Sequence, residues 1–145
     1  MAPKLLRRGV AETISADGMD VTSDVTITPQ HDNISYTIEP RGSSRSNKDL
    51  PDGTPHGDAS FQPGRVIINL KLAMQGAAPT GPLVRLRTKI LQKDVDRAQG
   101  KLFKLAHWDQ TAHRWVIMKD NIPCAVGDVE ADFSKLGDPP IGVGP

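Results

Sequence analysis

Three residues in the second half of the chain, His107, Asp109 and His113, are of the types that bind metal ions and lie close in sequence. The two imidazoles flank a short polar link, Asp109 to His113, and approach each other if the flanking segments run antiparallel. Asp109 would then be the third ligand that a catalytic zinc site needs. The plainer alternative, a pair of exposed loop histidines, is the expected arrangement. Asp17, Asp20 and Asp24 form a second cluster, in SADGMDVTSD. Their spacing does not match the twelve-residue helical calcium loop. Aspartates in such a segment serve turns by accepting hydrogen bonds from nearby backbone N–H groups. Cys124 has no histidine near it in sequence, and a thiol nucleophile needs an adjacent base. A small buried side chain is its expected role. The chain has no glycine-rich phosphate loop, no GxSxG elbow and no HExxH helix. No catalytic residue, metal, cofactor or small-molecule substrate is assigned, and the expectation is a protein that is not an enzyme.

The residues suited to binding are basic and aromatic. Arg85, Arg87 and Lys89 alternate along LVRLRTKIL and share one face if that segment is a strand. Lys4, Arg7 and Arg8 give the N-terminus a basic character, and Arg41 and Arg45 stand in a long polar segment whose one larger apolar residue is Leu50. Arginine suits protein interfaces, because its planar fork pairs with carboxylates. Nucleic-acid binding is the minor alternative, since the net charge is only +1 and no aromatics interleave with these cations. Of the two tryptophans, Trp115 begins an apolar run and is expected in the core. Trp108 stands next to the polar link and is the expected exposed contact. The interface candidates are therefore Arg7, Arg8, Arg41, Arg45, Leu50, Arg85, Arg87, Lys89 and Trp108.

The elements that must carry these residues are mostly strands. Thirteen glycines and twelve prolines in 145 residues mark many turns and argue against a helical bundle. A chain of this length is one domain, 1–145, able to bury a core without disulfides. Its apolar fraction of 37% and aromatic fraction of 4% leave part of it outside that core. The N-terminal stretch lacks the apolar run of about 7–15 residues that a secretory signal needs. No window approaches the ~20 apolar residues of a membrane-spanning helix. The expectation is synthesis in the cytoplasm without a signal peptide, and no membrane partner.

Residues 1–9 read as a basic arm and Val10 to Ile14 as a first short strand. DVTITP and NISYTIE alternate and are joined by PQHDN, which reads as a hairpin loop. Residues 40–60 are a long polar loop by composition. In FQPGRVIINLKL, strict alternation places Val66, Ile68, Leu70 and Leu72 on one face and Ile67, Asn69 and Lys71 on the other. Clean alternation before Gln92 and a glycine at Gly100 favour strand, turn, strand across QKDVDRAQG over a helix. KLFKLAHWD and RWVIMKD form a hairpin around the link Asp109 to His113. A last strand lies within Ala125 to Phe133, and residues 137–145 form a C-terminal tail. The sum is seven or eight strands in an all-β fold, an antiparallel β-sandwich or barrel-like domain with a long loop and extended terminal arms.

From Lys101 onward the pattern resembles the closing strands of β-sandwich modules in bacterial surface proteins and phage structural proteins. One strand ends in an aromatic-Asp turn, His107-Trp108-Asp109. The next opens on a tryptophan, Trp115-Val116-Ile117-Met118, and the last closes near the glycine-rich end, Phe133 to Gly144. The resemblance implies an architecture and covers less than a third of the chain. Together with the extensions it leads to the expectation of a non-enzymatic structural protein. Such a protein would self-assemble with other structural subunits in a virion or other extracellular assembly, as a capsid, decoration or tail component. The alternative is a surface module that binds a carbohydrate or protein through its loops.

Overall fold

The structure is a computed structural model that describes residues 3–14, 25–38, 60–77, 79–109, 112, 114–134 and 140–145. Ten strands and one helix follow one another in the described chain. They are β1 (Lys4–Leu5), β2 (Glu12–Ile14), β3 (Val25–Pro29), β4 (Ile34–Ile38), β5 (Arg65–Met74), β6 (Val84–Ile90), α1 (Gln92–Ala98), β7 (Phe103–Asp109), β8 (Arg114–Ile122), β9 (Gly127–Phe133) and β10 (Pro140–Gly144). All strand pairings are antiparallel. A six-stranded sheet has the order β1-β4-β5-β10-β7-β8, and a four-stranded sheet has the order β2-β3-β6-β9. The all-β, sandwich-like class expected from the sequence is the fold found.

Period-two alternation explains the four-stranded sheet. In β6, Val84, Leu86, Thr88 and Ile90 point inward and are buried, while Arg85, Arg87 and Lys89 point outward. In β9, Val129, Ala131 and Phe133 do the same against Asp128, Glu130 and Asp132. Val25 and Ile27 of β3 complete this inner face. Opposite them stand Leu70, Leu72, Leu105 and Ile141 of the other sheet, in one continuous core. Each such side chain fully removed from water contributes about 1.5–3 kcal/mol before entropy is counted.

Several expectations need correction. The segment PQHDN does not close a hairpin: β3 pairs with β2 and β6, whereas β4 pairs with β1 and β5. Val25 and Ile27 on β3, and Ile34 and Tyr36 on β4, are all buried, so the chain arches from one sheet to the other. The arch is held on both sides, by Gln30 N–H on the Leu83 carbonyl (2.8 Å) and Gln75 N–H on the Asn33 carbonyl (3.3 Å). Asn33 supplies the left-handed turn residue, with φ 65°.

Gln92 to Ala98 is a helix and not a turn. Its first turn is closed by Leu91 N–H on the Asp94 carboxylate (2.8 Å) and Asp94 N–H on the Leu91 carbonyl (3.0 Å). Gln99 and Gly100, at φ 52° and 81°, end it in the left-handed region. Gly100 thus terminates the helix instead of arguing against it.

The C-terminal stretch is not a tail. Residues 140–144 form β10, inserted between β5 and β7, with Ile141 and Val143 buried in the core. Within the expected N-terminal arm, Lys4 and Leu5 pair with Tyr36 and Ser35.

In β5, Ile67 is buried together with Leu70 and Leu72, against strict alternation. Ile141 pairs with Ile68 and Gly142 with Val66, so Ile67 is an extra residue at a bulge that shifts the phase. The polar loop 40–60, apart from Ser60, and the aspartates 17, 20 and 24 lie outside the described residues.

Candidate functional site

Among the described residues, no three histidine, cysteine, aspartate or glutamate side chains gather as a metal site. His107 is not an exposed loop residue. It lies on the inner face of β7, 8% exposed, edge-on to Phe133 with ring centroids 5.4 Å apart. Asp109 ends the strand, and its carboxylate accepts the Ala112 N–H at 3.1 Å, as a turn-closing aspartate does. His113 lies outside the described residues. Cys124 is a free, half-buried thiol packed against the core beside Val95.

The outer face of the six-stranded sheet carries an aromatic cluster at the β7–β8 hairpin. Trp108 and Trp115 are cross-strand partners and meet edge to face at 5.7 Å. Phe61 covers Trp115 at 5.1 Å, and Ala106 and Ile117 complete the patch. Trp115 is a buried residue, as its apolar run indicates, and Trp108 is half-buried beside it. The Trp115 indole N–H is buried with no hydrogen-bond partner among the described residues. β8 is the edge of this sheet, but its register slips twice against β7, and Asn121 takes φ 53°. Bulges of this kind disfavour pairing with another strand.

The outer face of the four-stranded sheet is charged in columns. β6 and β9 run antiparallel with Arg85 opposite Asp132, Arg87 opposite Glu130 and Lys89 opposite Asp128. The expected basic stripe therefore exists, but it lies beside an acidic stripe of the same chain. Arg85 Nε reaches the Asp132 carboxylate at 3.3 Å, with both side chains about half exposed. Neither Arg87 nor Glu130 forms an ion pair among the described residues. Two open clefts flank this central rung. One, of ≈ 300 Å³, is lined by Thr13, Thr26, Arg87, Thr88, Lys89 and Asp128. The other, of ≈ 440 Å³, is lined by Arg85, Met118, Lys119, Glu130, Ala131 and Asp132. The acidic column was legible as the alternation GDVEADF, but its position next to RLRTK was not.

At the opposite edge, Lys4 Nζ and the Tyr36 hydroxyl both donate to Glu12 Oε1, the latter at 3.2 Å. Glu12 holds the Lys4 ammonium above its usual pKa, mainly through that hydrogen bond and the opposite charge. Burial first, and then the Glu12 charge, pushes the Tyr36 phenol up. This cluster joins β1 and β4 of one sheet to β2 of the other, and no sequence motif announced it. Arg7 and Arg8 follow β1 and are exposed, as is Val10, while Leu5 stands 67% exposed in β1 itself. Arg41, Arg45 and Leu50 lie outside the described residues.

In comparison with known proteins, no protein-family model, no curated protein and no solved structure matches this chain.

Proposed function

We propose that this chain is a non-enzymatic structural protein, a subunit of a larger assembly such as a phage virion. The observation that carries the reading is the N-terminal edge of the six-stranded sheet. β1 is its outermost strand among the described residues, is only two residues long, and pairs on one side alone there, with β4. Leu5 within it and Val10 after it stand more than half exposed, among exposed Arg7 and Arg8. Exposed apolar side chains mixed with arginine suit contact with a neighbouring protein. Light scattering behind size exclusion across a concentration series tests the reading. A large closed or filamentous species supports it, and its loss in Leu5→Glu/Val10→Glu assigns the contact to this edge. A strict monomer at high concentration refutes it.

A second reading, a surface module that binds a carbohydrate or protein ligand, is favoured by the half-buried Trp108 on its aromatic backing of Trp115 and Phe61. Tryptophan faces stack on flat ligand surfaces. Glycan titrations monitored by tryptophan fluorescence, in the wild type and Trp108→Ala, decide it. A saturable shift in the wild type that the variant lacks supports this reading, and no shift in either discards it for glycans.

A further inference from the structure

We propose that the outer face of the four-stranded sheet is a self-complementary docking surface for a second copy of this chain. The inference rests on the assembly reading and adds the contact surface and its symmetry. Its basis is the register of β6 and β9. Three rungs cross the pair, Arg85–Asp132, Arg87–Glu130 and Lys89–Asp128, all cations on one strand and all anions on the next. The columns are parallel and one strand spacing apart, about 4.8 Å.

Charge order in columns selects one symmetry. A twofold axis parallel to the strands, midway between β6 and β9, turns a second copy face to face with the first. It lays the second copy's β6 over the first copy's β9. Each rung then meets the same rung with its charges exchanged: Arg87 faces the second copy's Glu130, and Glu130 faces the second copy's Arg87. The outer rungs match in the same way. An in-plane axis perpendicular to the strands would instead lay cation on cation. The contact is isologous, as closed dimers require.

Other partners fit this face less well. A nucleic acid or a purely acidic surface meets Asp128, Glu130 and Asp132 one strand away from every cation. A basic surface meets the reverse. Only a partner with both columns at this spacing satisfies both, and this chain carries one. The central rung is the best placed to switch partners, because Arg87 and Glu130 form no ion pair among the described residues, whereas Arg85 is already bonded to Asp132. The flanking clefts lined by Arg87 and by Glu130 leave room for the incoming side chains.

The contact is electrostatic and confined to two strands, so it is weak and sensitive to salt. Charges exposed to solvent interact over about 10 Å at 0.1 M salt and about 3 Å at 1 M. Sedimentation velocity of the full chain with Arg87→Glu and Glu130→Arg tests it. Each variant alone places like charges opposite each other across the axis, and self-association should weaken by about tenfold or more at low salt. Mixing the two variants restores every central contact in a heterodimer, with association returning toward the wild-type level. High salt should abolish both wild-type and mixed dimers.

Wild-type-like association of either single variant, or a mixture that associates no better than its components, overturns the proposal. Either result leaves an assembly through another surface standing. A wild type that stays monomeric at high concentration and low salt overturns both.

Discussion

The Tyr36 hydroxyl donates to Glu12 Oε1 across the seam between the two sheets, at 3.2 Å, and Lys4 Nζ donates to the same oxygen. One carboxylate thus joins β2 to β1 and β4. Tyr36 is 5% exposed, so its share of the contact is shielded from water, whereas the Lys4 side chain is 60% exposed.

That geometry makes stability depend on alkaline pH. Both Tyr36 and Lys4 have pKa values raised above 10.0 and 10.5 respectively, so the folded chain holds their protons more tightly than the unfolded chain. Their contribution is complete below those values and is lost as pH rises through and beyond them. Thermal melts between neutral pH and pH ~11 should show a fall in midpoint above about pH 10. Tyr36→Phe should flatten part of that fall and cost about 1 kcal/mol at neutral pH. An unchanged alkaline slope in Tyr36→Phe would falsify the assignment.

Thr88 is 1% exposed, and its Oγ1 has no hydrogen-bond partner among the described residues. A buried hydroxyl without a partner costs stability that an apolar group of the same shape does not. Thr88→Val, which keeps the β-branched shape suited to a strand, should stabilise the domain by about 1 kcal/mol. Urea unfolding reads this as a higher midpoint at unchanged slope. A lower midpoint would mean that the hydroxyl is satisfied after all.

Deleting residues 140–145 removes a strand from the middle of the six-stranded sheet and leaves β5 and β7 without their shared neighbour. The truncated chain should lose its cooperative unfolding transition. Ile141→Ala, which keeps the strand, should cost about 2–5 kcal/mol. A truncated chain with a wild-type circular dichroism spectrum and melt would show that β10 is dispensable.

Gly144 tests the same strand by close approach. A Cβ built there would lie 1.9 Å from the Gln62 carbonyl oxygen and 2.7 Å from the Gly64 nitrogen, both backbone atoms. Gly144→Ala should destabilise by about 1–3 kcal/mol or more, as overpacking does. Gly127, where a Cβ meets nothing within 4 Å, is the internal control. Gly127→Ala should leave the unfolding free energy within about 1 kcal/mol of the wild type. Equal effects at the two positions would contradict the packing described.

The amino-acid sequence by itself determined what depends on neighbours along the chain. The two-residue period of VRLRTKI and GDVEADF chose strand, and chose which side chains face the core. A polar link flanked by two apolar-rich runs, each with a tryptophan, marked the β7–β8 hairpin, and the apolar run after Trp115 marked its burial. Tertiary structure decided which strands lie side by side, because a strand's alternation is the same whichever partner it takes. That choice placed Asp128, Glu130 and Asp132 against Arg85, Arg87 and Lys89, and turned an expected basic stripe into paired columns of opposite charge. It sent β3 and β4 to different sheets, since each buries an apolar face that the other sheet can cover. It also drew residues 140–144 into the core: glycines and a proline weaken any local strand signal, and only the gap between β5 and β7 supplies the backbone partners that make them β10.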